Sequence, residues 1–251
     1  MGGQRSPDSA VAEGMTSRKW PARREKALRG DGRFAARYAP PVGFPVPIAS
    51  VLSGASVDQL AYWRKRTPSA PALLVPESKR SGRFIYSWAD VVALRSIVYL
   101  RHEKSLPRVR RAVELLRYLE ANEWEHLARY TLISTPSSIL VRTPSGQLLD
   151  LEQQPGTVVS EVLMSDVLAP FTTREGRVVP DLEKPRDLLA VNPRVMAGYP
   201  VIAGTRVPFD LVAGLADDGA TTAEIIAIYP SVNPASIGDA QDFAAQVAKA
   251  V

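Results

Sequence analysis

The sequence predicts a mainly helical α+β chain with small β elements. A helix-turn-helix with a β-hairpin comes first, a β-rich middle follows, and a three-helix unit ends the chain. Three observations carry this reading. Two helix pairs are each joined by Gly-Ala and a capping hydroxyl, at Gly54-Ala55-Ser56 and Gly219-Ala220-Thr221. Between them, residues 131–160 alternate β-prone runs with turn residues. Charge also divides along the chain. Residues 1–130 carry 23 Lys and Arg against 12 Asp and Glu, and residues 131–251 carry 8 against 14, within a net charge of +5.

Residues 1–39 read as a basic flexible arm, rich in Arg and poor in large apolar groups. Residues 40–130 read as the first folded domain. Four prolines between Pro40 and Pro47 extend the chain into it. Pro47 to Ser53 is a short helix, and Gly54-Ala55 is the turn. Ser56 and Gln59 form a capping box that opens a second helix, which runs into Trp63-Arg64-Lys65-Arg66. Two short helices joined by a tight glycine turn are the signature of a helix-turn-helix. Leu73-Leu74-Val75 and Arg83 to Tyr86 flank a basic tip and predict a hairpin wing. Ser87 with Asp90 caps a third helix, and Pro107 starts a fourth.

Residues 131–187 read as a hairpin or three-stranded piece followed by a linker. Thr131 to Ile133, Ile139 to Arg142 and Gln147 to Leu151 are its strand candidates. Ser160 to Leu168 is a candidate helix, and 172–185 the linker. Residues 188–251 read as the last unit. Gly198 and Gly204 there suit turns with positive φ, and they bracket short β-prone runs at Pro200 to Ile202 and Thr205 to Val207. Pro208 suits the first position of a helix that ends before Asp217. Thr221 and Glu224 form a second capping box, Pro230 stops that helix, and Asn233-Pro234 starts the third.

Nucleic acid needs cations where phosphate lies. The first domain has them. Arg64, Lys65 and Arg66 end its second helix, and Lys79, Arg80 and Arg83 sit on the wing. Ser56, Asp58, Gln59 and Tyr62 are the candidate base-facing positions of that helix. Gln59 can pair with adenine through both ends of its amide, or serve the cap instead. The last unit has a homeodomain-like three-helix pattern but fails the charge requirement. From Leu188 onward its cations are Arg194, Arg206 and Lys249, against six acids. It reads as a protein-contact or dimerisation module.

The stretch from Val42 to Asn122 resembles the MerR-type winged helix-turn-helix family. The residues that carry the likeness are Gly54-Ala55-Ser56, Leu60 and Trp63, the wing, and Tyr86-Ser87-Trp88-Ala89-Asp90-Val91. The resemblance implies a dimer that binds double-stranded DNA through the second helix and wing. The lack of cysteine departs from the metal-sensing members. Asn192 to Ala248 resembles the family catalogued as domain of unknown function 433. Its marks are Gly198-Tyr199-Pro200-Val201-Ile202, Gly204-Thr205-Arg206-Val207-Pro208, Asp218-Gly219-Ala220-Thr221 and Tyr229-Pro230. Members are often antitoxins, VapB-like in role, paired with PIN-domain ribonuclease toxins. The implied function is an antitoxin of a type II toxin–antitoxin system that also represses its own promoter. Tyr199, Thr205 and Arg206 are the implied partner-binding residues. Arg206 either reaches the toxin's carboxylate site or braces the turn against Asp210.

Other chemistry finds no constellation. The absence of cysteine excludes disulfides, thiolate nucleophiles and cysteine-ligated metal, and fits a cytoplasmic protein. No metal-ligand spacing occurs, and no cofactor is expected. His102 and His126 lie in charged helical segments, so no catalytic residue is expected. Trp63, Trp88 and Trp124 fall on apolar helix faces and read as core. No secretory signal or membrane span is expected. A second reading stays open: a single-component MerR-like regulator whose C-terminal half binds a ligand or dimerises.

Overall fold

The computed structural model describes residues 43–68, 72–76, 78–103, 109, 131–134, 139–142, 146–150, 157–158 and 165–250. All lie in the unit that begins at Pro40. The expected arm, most of the expected fourth helix, Trp124 and His126 fall outside the described residues.

Helices α1 (Val46–Ser53) and α2 (Val57–Trp63) form the expected pair. Gly54 joins them with a φ of 80°, and a Cβ there would lie 2.5 Å from Val179 Cγ2. Backbone sign and space therefore both demand glycine. The capping box closes as read. The Gln59 amide donates to Ser56 Oγ at 3.0 Å, and the Ser56 amide donates to Gln59 Oε1 at 2.8 Å. Leu52, Leu60 and Trp63 are buried beneath the pair.

The wing differs from expectation in its first arm. Leu73 and Leu74 are buried anchors rather than a strand, and the Leu73 amide donates to the Trp63 carbonyl at 2.8 Å. The hairpin is instead β2 (Ser78–Arg80) against β3 (Arg83–Tyr86). Ser81 and Gly82 form its two-residue turn, both with positive φ, as a tightly twisted hairpin requires. A further strand, β1 (Phe44–Pro45), pairs with the other edge of β3. Helix α3 (Trp88–Glu103) follows, capped by reciprocal bonds between Ser87 and Asp90.

The middle has one strand more than expected. Strands β4 (Thr131–Ser134), β5 (Ile139–Arg142), β6 (Leu148–Asp150) and β7 (Thr157–Val158) form an antiparallel sheet in sequence order. Helix α4 is Ser165–Leu168. The expected linker is structured at its start: β8 (Phe171–Thr172) pairs with β9 (Val178–Val179). Its loop closes locally, with the Thr173 amide donating to the Arg177 carbonyl at 2.8 Å.

In the last unit, β10 (Leu189–Ala190) pairs with β11 (Val201–Ile202). The expected strand at Thr205 to Val207 is a turn, because the Ile202 amide donates back to the Val207 carbonyl at 2.9 Å. Helices α5 (Phe209–Asp217), α6 (Thr222–Ile228) and α7 (Ser236–Ala248) complete the unit. Pro208 caps α5 from one position before the place expected for it. Thr221 and Glu224 close the second capping box. The Phe209 and Phe243 rings meet edge-on at 4.9 Å. Helix α7 packs on α5 and also on α1, and buried residues from Phe44 to Phe243 form one continuous cluster. No helix among the described residues is long and apolar enough to cross a membrane.

Arg95, in the middle of α3, is 0% exposed. Its guanidinium donates to the carbonyls of Leu52 and Ala169, each at 2.6 Å, of Leu168 at 3.1 Å, and of Val167. It also lies 4.9 Å over the Phe171 ring. Carbonyls at the ends of α1 and α4 lack helical partners and carry partial negative charge, so one cation satisfies both ends. Burial pulls the Arg95 pKa down to about 10, opposed by the charge of Asp181, which leaves the side chain cationic at neutral pH.

Arg95→Met should cost at least about 3 kcal/mol in urea denaturation, since each buried carbonyl left unpaired costs roughly 1–3 kcal/mol. Arg95→Lys should recover only part of it, because an ammonium lacks the planar fork. A Met variant as stable as the parent would remove Arg95 from this role. Gly54→Ala should cost more than about 1 kcal/mol in the same assay.

Candidate nucleic-acid interface

The end of α2 and the hairpin meet on one aromatic ring. The Arg64 guanidinium lies 4.5 Å from the centroid of Phe84, and Lys79 Nζ lies 4.5 Å from the same centroid. Lys79 stands opposite Phe84 in the hairpin register, whereas Arg64 arrives from the helix. The ring's electron-rich π system attracts both cations and ties the hairpin to the helix end. Arg64 also donates to the Tyr86 hydroxyl. Burial pushes the Tyr86 pKa up, against the pull of Arg64, so the phenol stays neutral.

The other expected cations follow from this junction. Lys65 and Arg66 continue from Arg64 and are exposed. Arg80 and Arg83 face each other across the Ser81-Gly82 turn, both exposed. All six cations thus lie at the α2 end or on the hairpin. The base-facing candidates separate. Tyr62 is 49% exposed. Ser56 and Gln59 are engaged in the capping box, and pairing with adenine would compete for the Gln59 oxygen that holds the Ser56 amide. The pairing of Lys79 with Phe84 was legible in principle, whereas the arrival of Arg64 on the same ring was not. A two-residue Ser-Gly turn sets the register that places Lys79 across from Phe84.

The candidate partner-binding residues also separate. Tyr199 is 3% exposed, and its hydroxyl donates to Asp210 Oδ2 at 2.8 Å. Thr205 Oγ1 donates to the Ile202 carbonyl at 2.9 Å and accepts from the Val207 amide at 3.0 Å, so its hydroxyl braces the turn. Arg206 is exposed. Asp210 is braced by Tyr199, not by Arg206. The acids of this unit serve two ends. Asp239 accepts from the Leu188 amide at 2.7 Å, whereas Asp218 and Asp242 are exposed. Among the described residues no group of acidic or histidine side chains could hold a metal ion.

Residues 189–244 match the family described as "Protein of unknown function (DUF433)", which covers the last unit from β10 into α7. The chain is also similar to the crystal structure of Rv2018 from Mycobacterium tuberculosis. The likeness has 15% sequence identity and a TM-score of 0.42, and it covers 79% of this chain and 96% of that one. No curated protein matches the sequence.

Burial pushes the Asp210 pKa up, against the Tyr199 hydroxyl and the local backbone amides that pull it down. A raised carboxyl pKa means that the folded chain holds this proton more tightly than the unfolded chain. Its contribution is therefore present below the ordinary carboxylate range and lost as pH rises through the raised value. Asp210→Asn, which keeps an acceptor for Tyr199, should remove that loss. Urea denaturation from about pH 4 to 7 should show the variant gaining on the parent as pH rises. Parallel curves would mean that Asp210 is not perturbed.

Proposed function

We propose that the chain is a DNA-binding antitoxin of a type II toxin–antitoxin pair. Its front is a MerR-like winged helix-turn-helix that binds double-stranded DNA at its own promoter as a homodimer. Its C-terminal unit holds a PIN-domain ribonuclease toxin. The observation that carries the DNA half is the Phe84 junction, which gathers Arg64 and Lys79 beside Lys65, Arg66, Arg80 and Arg83. Such a cluster supplies the phosphate-neutralising charge that duplex binding needs. The partner half is supported by the family match of residues 189–244 and by the exposed acids of that unit.

Lys79→Ala with Arg80→Ala should weaken binding to all duplex sequences and flatten the salt slope by at most about two. Unchanged affinity would remove the wing from the reading. Toxin capture should survive the same pair. A pull-down from the native host that returns no ribonuclease, together with a small ligand that shifts DNA affinity, would overturn the antitoxin half in favour of a single-component regulator.

A further inference from the structure

The hairpin β8–β9 is seated on the turn between α1 and α2. Val179 fills the space beneath Gly54, and Arg177 Nη1 donates to the Gly54 carbonyl at 3.0 Å. That carbonyl lies two residues before Ser56, the cap of α2. The same place receives the end of α7 and the two residues after it. A cleft of about 300 Å³ is lined by Ser56, Arg177, Val178, Gln246 and Lys249 among others, and none of the described residues that line it is acidic. Arg177 and Lys249 are both exposed, as is Arg174 on the same hairpin. Glu175 is the hairpin's one acid. Cations from two distant parts of the sequence therefore converge at the start of α2. Arg64, Lys65 and Arg66 stand at its other end.

We infer that the DNA-binding surface extends past the start of α2 onto Arg174, Arg177 and Lys249, which contact the phosphate backbone of duplex DNA. The inference rests on the DNA-binding reading above. A seven-residue helix is about 10 Å long, and a B-form major groove is about 12 Å wide. Cations at both ends of α2 are thus spaced to meet phosphates on both walls of a groove that holds the helix. Arg177 can do so while bonded to Gly54, because a guanidinium has five donors and the Gly54 carbonyl takes one. The hairpin is then a second wing. Lys249 makes the C-terminal unit part of the DNA surface, although that unit is acidic elsewhere.

The test uses the full chain and a mixed-sequence duplex of about 30 base pairs, followed by anisotropy between about 50 and 200 mM salt. Arg174→Ala with Lys249→Ala, both exposed, should weaken binding about three- to tenfold and flatten the salt slope by up to about two. Lys249→Arg should retain binding. The wing pair Lys79→Ala with Arg80→Ala is measured in parallel. A wing loss with no loss from the Arg174 and Lys249 pair overturns this inference and leaves the DNA-binding reading intact. No loss from either pair overturns the reading itself. Weaker binding with an unchanged salt slope would mean altered structure rather than lost phosphate contacts, and also overturns the inference.

Discussion

The fold depends on one buried cation. Arg95 reaches the end of α1 and the end of α4 in a single bonding pattern, and it does so with carbonyls rather than a carboxylate. A buried carboxylate partner would add its own desolvation cost. Helix-end carbonyls must find a donor in any case, so the guanidinium answers a demand the fold already makes. Phe171 covers the group on its π face, which places the start of β8. Because β9 then lies under Gly54, the geometry of the turn between α1 and α2 is tied through Arg95 to a segment more than seventy residues away.

Two close approaches extend this logic. Val179 meets Gly54 where a side chain would collide, and Phe44 meets Gly198 in the same way, with a Cβ placed 2.8 Å from its ring. At both points a left-handed glycine of one segment accepts an apolar group of another. Charge therefore divides along the chain while the hydrophobic core does not. The basic front and the acidic C-terminal unit share one cluster of buried residues.

What was legible in the sequence was local. Ser56 with Gln59, Ser87 with Asp90 and Thr221 with Glu224 each announce a helix start through bonds spanning three residues, and all three close as read. The Ser81-Gly82 turn sits within the wing segment, but its register moved the first arm from Leu73–Val75 to Ser78–Arg80. What was not legible depends on partners far away in sequence. Arg95 reads in sequence only as an interruption of an apolar run, since nothing local signals four carbonyls around it. Residues 172–185 resemble a linker because the packing that orders their start is supplied by Gly54 and Arg95. The site divides in the same way. The cations of the α2 end and hairpin follow from the residues, but their meeting on Phe84 and the arrival of Lys249 beside Ser56 need the fold.

The Gly198 motif is structural on one side and open on the other. Met196, Ala197 and Gly198 are consecutive left-handed residues, with φ of 51°, 53° and 88°. For the two that carry a Cβ this costs about 1–2 kcal/mol each. The run places Gly198 against Phe44 and brings Tyr199 inward to stack on Phe209 and bond Asp210. That burial offsets the strain, and it also removes Tyr199 from any contact surface. Thr205 spends its hydroxyl on the turn. The outward side of the motif is then Ala203, Gly204 and Arg206, next to a unit whose exposed acids include Asp217, Asp218 and Asp242. A macromolecule that binds this unit therefore meets exposed Arg194, Arg206 and Lys249 among these exposed acids. Charge, more than the conspicuous and largely buried Gly-Tyr-Pro sequence, is then the feature that would select it.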